Sequence, residues 1–126
     1  MPRLPRVDDR YERGLDAYAS QMRIAREDVP QWFAERFGER FAEEAINAAG
    51  GAWPDDVLSL RDRSLVVVAA LIAQGGVEPR LRSHVRWAVD HGVTPEQLEA
   101  LATLLAVYVG YPRASVALEI LRDELG

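Results

Sequence analysis

From Asp8 onward, apolar side chains return every three or four residues: Tyr11, Leu15, Tyr18 and Met22, with charges between them. That spacing predicts a helix, and Asp8 and Asp9 suit the positive end of its dipole. The first seven residues, which hold two prolines and no periodicity, are expected to form a loose arm. Asp28-Val29-Pro30 reads as a second helix start with proline in the first turn. Phe33, Phe37, Phe41 and Ala45 follow at i, i+4 spacing. A stripe of that kind more often packs a core or a subunit contact than lines a pocket. Residues 48–54, centred on Gly50-Gly51, read as a break.

Ser59-Leu60-Arg61-Asp62 resembles a capping box, with Asp62 in place of the usual Glu. The run Leu65 to Ala73 after it is apolar on every side. Its length exceeds that of most strands and no partner strand is evident, so it predicts a central helix buried all round. Gly75-Gly76 ends this helix and Pro79 opens the next. There Leu81, His84, Val85, Ala88 and Val89 form one stripe, while Arg80, Arg82, Arg86 and Asp90 face away. Gly92 is a stop, and Thr94-Pro95-Glu96-Gln97 is a start with cap, N1 proline and Gln at N3. Leu98, Leu101, Ala102, Leu105 and Val109 make a core face. Gly110-Tyr111-Pro112 then turns the chain into a last helix with Val116, Ile120 and Leu121. The expectation is an all-α bundle of about six helices in a single domain over residues 1–126.

Composition narrows what such a bundle can do. A chain of 126 residues, 48% of them hydrophobic, buries roughly two-thirds of its unfolded surface and needs no disulfide to build a core. Cysteine is absent, which excludes thiolate metal sites, cysteine nucleophiles and thiol peroxidase chemistry. The fifteen basic residues are all Arg, so neither a Schiff-base lysine nor a lysine base exists. With a net charge of −5 and the arginines scattered among acids, the electrostatic footprint of a nucleic-acid binder is missing. No apolar run reaches bilayer length, and the first residues lack the apolar stretch of a signal peptide. A cytoplasmic location with no membrane or nucleic-acid partner is expected.

His84 stands where Leu or Ile would be ordinary. It is either a core histidine bonded to a carbonyl or a general acid–base facing an internal cavity. His91 follows seven residues on, about 10 Å along the helix, too far to share a metal ion with it. Its place before Gly92 suits a structural role at the helix C-terminus. No metal site and no cofactor are expected. Glu78 is either a charge on the helix dipole or a carboxylate at the mouth of the His84 cavity. Two roles are open to Arg63: a tie to Asp62, Glu78 or a neighbouring helix end, or a two-pronged donor to a substrate carboxylate. Tyr108 and Tyr111 flank Gly110, where either phenol could face the cavity and core packing is the ordinary role of Tyr111. Phosphate loops, dinucleotide fingerprints and Ser-His-Asp signatures are absent.

The segments LSLRDRSLVVVAALIAQGG, EPRLRSHVRWAVDHGVTPEQLEAL and AVYVGYPRA, in that order, resemble the carboxymuconolactone decarboxylase family over residues 59–114. DDRYERGLDAYASQ and the GGAWPDD break resemble its longer members more loosely. The resemblance implies an alkylhydroperoxidase D-like, all-helical fold that assembles as a homo-oligomer, trimer or hexamer. The peroxidase members carry a CxxC before the histidine matching His84; Val77 and Arg80 hold those positions here, so the cofactor-free branch is implied. In that branch Glu78 and His84 match a pocket pair, Arg63 the arginine before the central helix, and Tyr108 the tyrosine of the YxGxP turn. Two departures mark the chain. Leu104 stands where Gln or His is common, and His91 where Asn is frequent.

The implied function is a cofactor-independent lyase acting on a small carboxylated conjugated lactone or related acid through an enolate-like intermediate. His84 would deliver a proton, Glu78 orient it, Tyr108 donate to the oxyanion, and Arg63 and Tyr111 bind substrate. An isomerase or cyclase on the same scaffold, or a non-catalytic oligomeric binding protein, is the alternative.

Overall fold

The computed structural model describes residues 7–126; the expected arm lies outside them except for Val7, which opens the first helix. Seven α-helices form among the described residues, with no strand: α1 Val7–Met22, α2 Val29–Phe37, α3 Glu39–Ala52, α4 Leu60–Gln74, α5 Glu78–Asp90, α6 Pro95–Val109 and α7 Tyr111–Leu125. A single 3₁₀ turn, Arg26–Asp28, precedes α2. The all-α expectation holds. The chain divides into two compact units, one ending at Val57 and the other running from Leu58 to Gly126.

In the first unit α3 packs against both α1 and α2. Leu15, Val29, Phe33, Ala42 and Ile46 are its buried core. Two features of this unit differ from what the sequence predicts. One long helix was expected from Pro30 to Ala45, but Gly38, at φ +88°, divides it into α2 and α3. The break expected at residues 48–54 is helical through Ala52. Gly50 serves close packing instead. A Cβ there would lie 1.7 Å from the Arg10 carbonyl oxygen, and one at Gly14 would lie 1.8 Å from that of Ile46. Each glycine costs about 1 kcal/mol of helix propensity and lets the two backbones meet. Arg26 closes the unit's turn by bonding Asp16 (2.6 Å) and Glu12 on α1.

In the second unit α4, α5, α6 and α7 pack around Val68, Ile72, Leu81, Val85, Ala88, Leu98, Ala102, Ala117, Ile120 and Leu121. The caps read from sequence are present. Ser59 Oγ accepts from the Asp62 amide at 3.0 Å. Thr94 and Gln97 bond reciprocally, at 3.1 and 3.0 Å, completing the box that satisfies two of the helix's orphan donors. The expected all-round burial of α4 does not hold within the chain. Ser64, Val68 and Ile72 face inward, whereas Val66 is 57% exposed. An apolar run with no polar face carries no signal of which side is covered. On α7, Ile120 and Leu121 are buried with Ala114 and Ala117, and Val116 is exposed.

Candidate functional site

The second unit holds a groove of about 400 Å³ between the end of α4 and the starts of α5 and α7. Leu71, Leu81 and Val116 give it apolar walls, and Glu78 and Arg113 are its charged groups. Glu78 occupies the first turn of α5, where a carboxylate complements the helix dipole. Arg113 reaches back to donate to the Ala73 carbonyl at the end of α4, satisfying one of that helix's orphan acceptors. Gly75 leaves room for this; a Cβ on it would lie 3.2 Å from the Arg113 Nε.

Of the five residues singled out by sequence, the groove takes Glu78 alone. Glu78 and His84 are six residues apart on α5, so their side chains leave the helix about 120° apart and about 9 Å along it. The His84 ring lies edge-on against Trp87, with centroids 4.5 Å apart. Burial there, followed by the charges of Arg80 and His91, pushes its pKa down to about 4, so it is neutral at pH 7. Arg63 sits at the head of α4 with its Nε donating to the carbonyls of Leu58 (3.0 Å) and Ser59 (3.4 Å). That is the tie to a helix end left open by the sequence, and the partner is the start of its own helix. Tyr108 and Tyr111 are 78% and 77% exposed.

A polar contact that sequence reading missed lies at the other end of α5. His91 closes the helix, its amide donating to the carbonyls of Trp87 (2.9 Å) and Ala88 (3.1 Å). Its Nδ1 is 2.6 Å from the Oγ of Ser64, which is only 3% exposed. Burial and the neighbouring Arg63 push the His91 pKa down, opposed by Asp90. The signal for this pair was Ser64 itself, a hydroxyl four and eight residues before the buried Val68 and Ile72. Among the described residues no cluster of three or more His, Asp or Glu could hold a metal ion.

The model of the Carboxymuconolactone decarboxylase family matches residues 39–123, and the chain belongs to that family. The match reaches further toward the N-terminus than the segment recognised by its motifs and runs across both compact units. A 4-carboxymuconolactone decarboxylase of Acinetobacter baylyi is 34% identical over 76 residues, covering 60% of this chain and 56% of that protein. A protein of Saccharomyces cerevisiae called Peroxisomal protein 2 is 39% identical over 59 residues, 44% of this chain and 20% of its own length. Its namesake in Schizosaccharomyces pombe is 43% identical over 44 residues, 35% of this chain and 20% of its own. The chain thus spans about half the decarboxylase it matches and a fifth of each yeast protein.

Proposed function

We propose that the chain is a cofactor-independent lyase that removes carbon dioxide from a small, carboxylated, conjugated lactone or related acid. The carrying observation is the match to the bacterial decarboxylase, within a family that this chain belongs to. The chemistry needs no electron sink beyond the substrate. As the C–C bond to the carboxylate breaks, its electron pair moves through a double bond onto the ring carbonyl, giving an enolate that then takes a proton at carbon. The protein must hold the carboxylates, stabilise the oxyanion and supply that proton. Arg63 is assigned to a carboxylate, Tyr108 to the oxyanion, Tyr111 to substrate packing and His84 to the proton, whereas Glu78, which leaves α5 on another side, stands in the groove apart from His84. His84 is neutral in the empty protein at pH 7. A carboxylate substrate beside it would favour the imidazolium.

The same reading includes a homo-oligomer. Leu104, Val107 and Tyr108 are 62%, 74% and 78% exposed along α6, and no charged residue lies between Glu99 and Arg113. A surface of that kind is ordinarily a contact surface. A second copy seated there would cover the Tyr108 phenol, which is exposed in the single chain.

The test is turnover of 4-carboxymuconolactone, generated in situ, by wild type and His84→Gln. Loss of substrate with wild type and its slowing by about 100-fold in the variant support the reading. Full turnover by His84→Gln removes His84 from the chemistry. No turnover by either sends the search to isomerisation or cyclisation of related acids.

A further inference from the structure

The groove between α4, α5 and α7 takes no part in the chemistry assigned above, yet it is built like a binding site. Its floor is core: Ile72 of α4, Leu81 of α5 and Ala117 of α7 line it and belong to the buried cluster of this unit. Leu71 and Val116 continue the apolar lining. Its two charged groups come from different helices, Glu78 from the first turn of α5 and Arg113 from the first turn of α7. Among the described residues these two are not ion-paired to each other. The ion pairs between α5 and α7 run instead from Arg82 and Arg86 to Asp123 and Glu124, at the other end of α7. At about 400 Å³ the space lies within the range of small-molecule sites, which combine apolar walls with a few placed polar groups.

Arg113 is oriented before any ligand arrives. Pro112 fixes the backbone just ahead of it, and its Nη1 donates to the Ala73 carbonyl. A guanidinium carries five N–H donors in a rigid fork, and that bond uses one of its nitrogens. A carboxylate received there orders little that is not already ordered, so less side-chain entropy is lost on binding. Glu78 sets the complementary demand. A carboxylate only accepts: it takes a hydrogen bond from a donor and repels a second carboxylate. Over an apolar floor a hydroxyl is the better donor, because an ammonium loses more hydration on entry.

We propose that this groove binds a small hydroxylated monocarboxylic acid. Its carboxylate sits on Arg113, its apolar body on Ile72, Leu81 and Val116, and its hydroxyl donates to Glu78. The site is independent of the lyase reading, which uses other residues.

Four probes with one benzene body and different ends test the match. They are 4-hydroxyphenylacetate, phenylacetate without the hydroxyl, 4-hydroxyphenylethanol without the carboxylate, and 1,4-phenylenediacetate with a second carboxylate in place of the hydroxyl. Each is titrated into the ¹⁵N-labelled chain and followed by NMR. The first should shift the Gly75 and Gly76 amides and the Arg113 Nε–H, and bind about fivefold tighter than each of the others. Arg113→Gln should weaken it by about fivefold, as expected for an exposed charge pair. Glu78→Gln should raise the affinity for 1,4-phenylenediacetate, a gain that damage to the fold cannot produce. Shifts centred elsewhere, no shifts with any probe, or equal binding of the hydroxy acid and the diacid by wild type overturns the proposal. So does a Glu78→Gln protein that still rejects the diacid. Turnover of the lactone is measured separately, so the site and the lyase reading fail by different results.

Discussion

In the first unit, α1 and α3 approach until glycine is the only residue that fits, at Gly14 and Gly50. In the second, α6 leaves Leu104, Val107 and Tyr108 62–78% exposed among the described residues. The first unit resolves its contacts backbone against backbone. The second leaves a substantial apolar surface open, sets Glu78 and Arg113 in a groove and pairs Ser64 with His91 where α5 ends. The contrast separates two uses of a helix face. One fixes a pair of helices in a single geometry, and the other leaves an apolar face exposed.

Gly50→Ala should destabilise the protein most. The new Cβ would meet the Arg10 carbonyl at 1.7 Å, and relief requires the helices to separate. Overpacking of this kind costs about 3 kcal/mol or more, expected as a lowered denaturation midpoint followed through Trp32 in that unit. The same change at an exposed glycine with no atom within 4 Å, such as Gly92, would cost less and only through its φ of +98°.

An intermediate effect belongs to the second unit. His84 has its pKa lowered from 6.5 to about 4 in the folded protein, so between those values the unfolded chain binds more protons. Stability is therefore full above about pH 6.5 and falls as pH drops toward 4, by at most about 3 kcal/mol. The lowered pKa of His91 acts in the same direction. Denaturation midpoints measured across this range should slope in wild type and flatten in His84→Gln. An unchanged slope would place the acid sensitivity elsewhere.

The smallest effect on folding should come from Val107→Glu, at a position 74% exposed. A surface substitution of this kind stays within about 0.5 kcal/mol. Its expected consequence is on assembly: a lower mass by light scattering at the same concentration as wild type. Equal masses would mean that α6 is not the contact.

Much of the second unit was legible because its punctuation is chemical. Thr94-Pro95-Glu96-Gln97 can hardly be anything except a helix start, and the reciprocal bonds are present. The first unit was harder, because glycine has two opposite uses. Gly38 ends a helix through its left-handed φ, whereas Gly50 continues one so that a neighbour can approach; nothing local distinguishes them. Leu65 to Ala73 shows a second limit. Apolar composition reveals that a face prefers cover, not whether the same chain supplies it, and Val66 is uncovered. For the site, the sequence marked His84 as odd but passed over Ser64, because a lone serine in a helix is common. Its partner lies 27 residues away, and only the packing of α4 against α5 brings them together.

The edge-on contact of His84 with Trp87 gives the molecule an optical property. A protonated imidazole quenches an adjacent indole more strongly than a neutral one. Emission from Trp87 should therefore dim as His84 takes up its proton and recover as it is released. Trp32 and Trp53 contribute a background that Trp87→Phe would reveal by subtraction. The ionisation of a single half-buried ring can then be followed in dilute, unlabelled protein, and any ligand that changes the charge beside it would announce itself as a change in light.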